Sequence, residues 1–140
     1  MFKYAVTPEF LNERRGTNMV SHLDIVITEV GPDYVVGRMP VDDRTRQPFG
    51  LLHGGASVVL AESLGSMAAN LCVNQDTHYC VGLDINANHI RSVTSGFVHG
   101  KATPLHVGST TQVWEIRITD EQGRLVCISR LTMAVKSHSR

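Results

Sequence analysis

The sequence predicts an α+β fold in which an antiparallel sheet curls around one long central helix. Two observations carry this: the elements follow the order ββαββββ behind a short N-terminal helix, and the helix between the strands is apolar on every side. Such a helix has no face to offer to solvent, so the strands must wrap it. A chain of 140 residues hides roughly 70% of its unfolded surface on folding, which suits one core, and a single domain over residues 1–140 is expected.

Each element has its own signal. "TPEFLNERRG" reads as a short capped helix over the core surface, with Thr7 as N-cap, Pro8 in the first turn and Gly16 as the stop. "HLDIVITEV" and "YVVGRMPV" are β-rich runs joined by Gly31-Pro32-Asp33, a hairpin turn. After the polar loop "DDRTRQPFG", Gly54 and Gly55 give way to an apolar run of helical length from Ala56 to about Val73. Gly65 inside it costs about 1 kcal/mol relative to Ala, which close approach of a neighbouring element offsets; Ala61, Ala68 and Ala69 permit the same approach. Four strands follow: "YCVGLDINANHI", "GFVHGKATPLH", "STTQVWEIRI" and "RLVCISRLTMAV". The last two flank Asp120-Glu121-Gln122-Gly123, a hairpin loop in which Gly supplies a positive φ.

Composition excludes several functions. The 13 basic residues balance the 13 acidic ones, so no clustered positive field for nucleic acid is expected. The apolar runs are too short and broken to span a bilayer, and the N-terminus carries charges where a leader would be apolar, so a cytoplasmic protein is expected. Cys72, Cys80 and Cys127 form no CxxC pair and read as buried free thiols in a reducing compartment. No HExxH or other closely spaced ligand set occurs, so no metal is expected. His22, His78, His99 and His138 lack chemical neighbours at useful spacing and read as surface or structural residues.

Glu62 is the one charged residue between Gly50 and Asn70. A lone carboxylate among apolar residues is costly unless it is paired, hydrogen-bonded or protonated. A structural Glu, satisfied by backbone amides or on a solvent stripe, is one reading; a catalytic one is the other. Ser66, at i+4, shares its face and can hydrogen-bond to the carboxylate or to a water beside it. The helix begins at Gly54 and Gly55, immediately after His53, and free amides there suit a developing oxyanion. Gln47 adds an uncharged donor in the preceding loop. These are the parts of an acyl-transfer site. Eight residues of helix, about 12 Å, separate Gly54 from Glu62, so the two can share one carbonyl only across two chains.

"QPFGLLHGGASVVLAESLGS" resembles the signature of hotdog-fold thioesterases. With "MPVDDRTRQPFG", "VGLDINANHIRS" and "VWEIRITDEQGRL", the chain from about Asn18 onward resembles bacterial 1,4-dihydroxy-2-naphthoyl-CoA hydrolases of the menaquinone pathway. The resemblance implies a hotdog fold and a homodimer formed by pairing edge strands, further assembled as a homotetramer, with active sites between protomers. It implies that Glu62 is the catalytic carboxylate, as nucleophile or as base for water. Gly54 matches the oxyanion amide, Gln47 and His53 the groups that orient carbonyl and water, and Ser66 the hydroxyl beside Glu62. It implies no cofactor, because coenzyme A is part of the acyl-CoA substrate.

In "VGLDINANHIRS", alternation sets Val81, Leu83, Ile85 and Ala87 on one face and Gly82, Asp84, Asn86 and Asn88 on the other, with His89 and Arg91 continuing the apolar face. A cation and an imidazole at the strand exit suit phosphates. The resemblance places coenzyme A at Gly82, His89, Ile90, Arg91 and Ser92, with His106, Val107, Gly108, Ser109 and Thr110 along the pantetheine route. The D-x-N-x-x-H spacing of Asp84, Asn86 and His89 also occurs in hotdog hydratases. On a regular strand, however, Asp84 and Asn86 point away from His89, so the spacing is read as coincidence.

The expected function is hydrolysis of an aromatic acyl-CoA thioester, with Val58, Val59, Met67 and Phe49 as an uncharged lining for the ring or as plain core. The alternatives are a proofreading thioesterase for aryl groups misloaded on a carrier protein, a broad-range acyl-CoA thioesterase, and an acyl-CoA-sensing module without catalysis.

Overall fold

The computed structural model describes residues 1–139. Thr7 caps α1 (Pro8–Glu13) by accepting a hydrogen bond from the Phe10 amide at 3.1 Å, and Gly16 adopts a φ of 71° beyond its end. A second short helix, α2 (Met19–His22), follows unannounced. It is held by reciprocal bonds between Asn18 and Ser21, and the Asn18 side chain accepts from the Val20 amide at 3.0 Å.

The six strands are β1 (Val26–Val30), β2 (Val35–Pro40), β3 (His78–His89), β4 (Phe97–Val107), β5 (Thr111–Thr119) and β6 (Leu125–Ser137). They form one antiparallel sheet in the order β1-β2-β4-β5-β6-β3, so β3 is an edge. Helix α3 (Gly54–Leu71) packs on β2, β3, β4, β5 and β6, the arrangement of a hotdog fold. It begins at Gly54, ahead of the apolar run from Ala56, and His53 caps it: Nδ1 accepts from the Gly55 amide at 2.8 Å.

The helix touches the sheet through its small and branched residues. Leu60, Ala61, Leu64, Ala68 and Ala69 are fully buried. Burial of each leucine is worth about 1.5–3 kcal/mol. A Cβ on Gly65 would come within 2.5 Å of Leu131 Cδ2, so the close approach expected at that glycine is present. Further along, the Trp114 indole donates to Gln112 Oε1 at 2.9 Å, and Gln112 Nε2 donates to the Ala69 carbonyl at 3.3 Å, tying β5 to the helix inside the core. Cys72, Cys80 and Cys127 are free and buried. Burial pushes all three thiols up, Cys72 to about 11.

Strand β3 departs from the expected alternation. Its register against β6 slips between Gly82 and Asp84: Gly82 pairs with Met133 and Asp84 with Thr132, leaving Leu83 as an extra residue. Cys80 and Gly82 face the helix before this bulge, and Ile85, Ala87 and His89 face it afterwards. Val81 and Leu83, expected inside, are 41% and 62% exposed. Asp84 and Asn86 still point away from His89, so the hydratase-like spacing converges on nothing.

Candidate active site

The loop between β2 and α3 is built turn by turn. The Asp42 amide donates to Thr45 Oγ1 at 3.0 Å, and Thr45 is buried. The Arg44 guanidinium beside Asp42 holds that carboxyl below its ordinary value. Arg46 pairs with Leu52 across an isolated bridge, and inside it the Gln47 amide donates to the Leu51 carbonyl at 2.8 Å. Gly50, with a φ of 82°, closes the turn. Gln47 Oε1 accepts from the Phe49 amide, which leaves the NH₂ end of Gln47 as the donor available to a ligand.

At the start of α3, the amides of Ala56 and Ser57 donate to the His53 carbonyl and that of Gly55 to His53 Nδ1. Gly54 N has no acceptor among the described residues. With Nδ1 accepting, a neutral His53 carries its proton on Nε2 and presents a donor. The His89 ring lies over Gly54, where a Cβ would come within 2.7 Å of Nε2. Gln47, Gly54, His89, Ile90, Arg91 and Ser92 line one cleft of about 290 Å³, so six of the expected site residues converge. Arg91 is exposed; its amide donates to the Val126 carbonyl at 3.3 Å, and its guanidinium has no ion-pair or hydrogen-bond partner among the described residues.

Glu62 and Ser66 open elsewhere. They line a second, apolar cavity of about 400 Å³ with Met19, Val20, Val59, Ser63 and Met67. Among the described residues, the Glu62 carboxylate makes no hydrogen bond or salt bridge, and no side-chain bond joins it to Ser66. Its carboxylate rests against the backbone of β3: a Cβ on Gly82 would collide with Glu62 Oε2. Gly82 thus adjoins the carboxylate rather than the first cleft.

His106, Val107, Gly108, Ser109 and Thr110 form the end of β4 and the turn into β5, where the Gly108 amide donates to the Thr111 carbonyl at 2.9 Å. Within one chain they reach neither cavity. Phe49 stands 88% exposed, and Val58 lines neither space. Met19 and Val20 were missed. Their signal is the Asn18-x-x-Ser21 pair, a capping box with Ser in place of the usual Glu or Gln. No three His, Cys, Asp or Glu side chains converge among the described residues, and no described helix is long and apolar enough to cross a membrane.

Comparison with known proteins gives this geometry a context. Residues 49–127 match the thioesterase superfamily. A 1,4-dihydroxy-2-naphthoyl-CoA hydrolase from Escherichia coli is 56% identical over 96% of this chain and 98% of its own length. The proofreading thioesterase EntH from Cronobacter sakazakii is 52% identical over the same shares, 96% and 98%. A thioesterase structure from Haemophilus influenzae, 50% identical, superposes with a TM-score of 0.94 over 97% of this chain and 94% of that one. A thioesterase from Staphylococcus aureus, 36% identical over 86% of this chain, has been solved as two alanine mutants with TM-scores of 0.84 and 0.83, covering 100% and 99% of those chains. One replaces a glutamate and the other a glutamine 15 positions before it, at 47 and 32 in that protein's own numbering. With its fold and its sequence in agreement, the chain belongs to the thioesterase superfamily and is a thioester hydrolase.

Proposed function

We propose that this thioesterase hydrolyses aromatic acyl-CoA, with 1,4-dihydroxy-2-naphthoyl-CoA of the menaquinone pathway as its substrate, in the cytoplasm and without a cofactor. The observation that carries the reading is the division of α3 between two cavities. A free amide opens into one and an unpartnered carboxylate into the other, about 12 Å apart along the axis. Neither cavity alone holds both an oxyanion donor and a carboxylate.

Two chains related by a two-fold axis complete the site. The 12-residue edge strand β3 supports this: one side pairs with β6, and the other is free and flanked by exposed Val81 and Leu83. Pairing centred on Asn86 sets Ile85 opposite the partner's Ala87 and Asp84 opposite the partner's Asn88. The Leu83 bulge then brings Gly82 opposite the partner's His89. Glu62 rests on Gly82 and Gly54 lies under His89, so this register carries each Glu62 toward the partner's Gly54. Dimers of this kind assemble as a homotetramer.

In the composite site, Gly54 N and Gln47 Nε2 polarise the thioester carbonyl, and His53 Nε2–H orients it. Glu62 attacks the carbonyl carbon and expels the CoA thiolate, leaving an anhydride for water to open; alternatively, it takes the proton of a water that attacks directly. Single turnover in ¹⁸O-water separates the two, since only the anhydride route labels Glu62. Ser66 holds the carboxylate or the water. His89, Ile90, Arg91 and Ser92, together with His106, Val107, Gly108, Ser109 and Thr110, receive coenzyme A. Gly82 keeps the space beside Glu62 open. Gln47 and Glu62 are 15 positions apart, the separation of the Gln and Glu replaced in the Staphylococcus aureus protein.

Glu62→Gln is expected to abolish hydrolysis of 1,4-dihydroxy-2-naphthoyl-CoA while retaining its binding; hydrolysis at the wild-type rate would overturn the assignment. Mixing inactive Glu62→Ala and Gly54→Pro chains is expected to restore activity, and no recovery despite subunit exchange would refute the shared site. A second reading rests on the similarity to EntH: hydrolysis of aryl groups misloaded on a carrier protein. Comparing kcat/KM on naphthoyl-CoA and on benzoyl-loaded carrier protein decides between them.

A further inference from the structure

We propose that Arg46 is a positioning residue, whose guanidinium fixes Gln47 against the segment that holds coenzyme A; this rests on the role assigned above to Gln47. Arg46 directly precedes Gln47, and its backbone closes the small loop through the bridge to Leu52. Its side chain turns the other way and reaches three partners, one in the connector between β3 and β4 and two at the start of its own loop. Nε donates to the Thr94 carbonyl at 3.1 Å, Nη2 to the Val41 carbonyl at 3.3 Å, and Nη1 pairs with Asp43 Oδ1 at 2.8 Å.

Thr94 belongs to the connector between β3 and β4 that supplies Ile90, Arg91 and Ser92 to the cleft. The Leu52 amide donates to the Val93 carbonyl at 2.8 Å, so backbone and side chain fasten the two segments side by side. A group donating to the substrate carbonyl acts only if it is held at fixed distance from the rest of the substrate, and a shift of about 1 Å can cost roughly 100-fold. The guanidinium supplies three N–H directions at once. A lysine keeps the charge but not this fork.

The contact with Asp43 is the dispensable one, because that carboxylate is fully exposed and such pairs contribute little. The role predicts a pattern that generic stabilisation does not produce. In the 140-residue chain with benzoyl-CoA, Arg46→Met and Arg46→Lys are both expected to lower kcat by about 10-fold or more, while Asp43→Asn remains at wild type. Because Arg46 acts through Gln47, the Arg46→Met/Gln47→Ala double variant is expected to be no slower than Gln47→Ala alone.

Wild-type kcat in Arg46→Lys, or a loss in the double variant equal to the product of the single losses, overturns the role of Arg46. Gln47→Ala at the wild-type rate instead overturns the reading of Gln47 itself. Melting curves accompany each variant. Should Arg46→Met fail to fold, Arg46→Lys and its combination with Gln47→Ala decide the question.

Discussion

Replacing Gly82 with Ala tests whether the Glu62 carboxylate needs the space it has. A Cβ at that position would lie 3.4 Å from Glu62 Cδ and 3.9 Å from Leu131 Cδ1, both ordinary contacts, yet would collide with Oε2. The carboxylate oxygen therefore has to move by about 1 Å, which at a reacting centre costs roughly 100-fold, or about 2.7 kcal/mol of transition-state stabilisation. Stability moves the other way. Gly82 does not have a positive φ, so Ala adopts its backbone without strain, and the stiffer unfolded chain favours the native state by about 0.4–1 kcal/mol. The expected variant melts no earlier than wild type and hydrolyses benzoyl-CoA far more slowly, as read from release of the CoA thiol. Wild-type kcat/KM at an unchanged melting temperature would refute the placement of Glu62 against β3.

Other perturbations address the assembly and the core. If β3 pairs across a two-fold at Asn86, then Asn86→Glu and Asn86→Lys each place like charges opposite one another. Each is expected to weaken dimers by about 1 kcal/mol, roughly fivefold in dissociation constant, and a mixture of the two should form heterodimers by sedimentation; equal self-association and mixing would exclude this register. Burial raises the Cys72 thiol from 9.0 to about 11, so folding favours its protonated form. That contribution is complete below pH 9.0 and is lost as pH rises toward about 11. The melting temperature of the wild type is expected to fall more steeply than that of Cys72→Ala over this interval, and parallel curves would contradict it.

Much of the fold was legible because its signals are local. The Thr7-Pro8 cap, the turn at Gly31-Pro32-Asp33, the long apolar helix and the Asp120–Gly123 loop each follow from a few adjacent residues. What escaped depends on partners. The Leu83 bulge is a property of the β3–β6 register, and alternation read from β3 alone put Val81 and Leu83 on the wrong face. The short helix α2 escaped because Ser21 stands where a capping box usually has Glu or Gln. The site divided in the same way. Gln47, Gly54 and His89 to Ser92 meet in one cleft of one chain, and Glu62 and Ser66 share another. His106 to Thr110 reach neither within one chain.

Leu83 has a further consequence. Gly82 and His89 are seven positions apart, an odd interval that would turn them to opposite sides of a regular strand; with the extra residue both meet the same helix, His89 at its start and Gly82 at its middle. The spacing therefore works as a phase lock. Edge strands ordinarily tolerate a gained or lost residue, but here either change would swing the floor beneath Glu62 or the imidazole above Gly54 out to solvent. An engineer seeking to shorten, extend or graft onto this edge has to change the interval by two residues at a time or lose one of the two contacts with the helix.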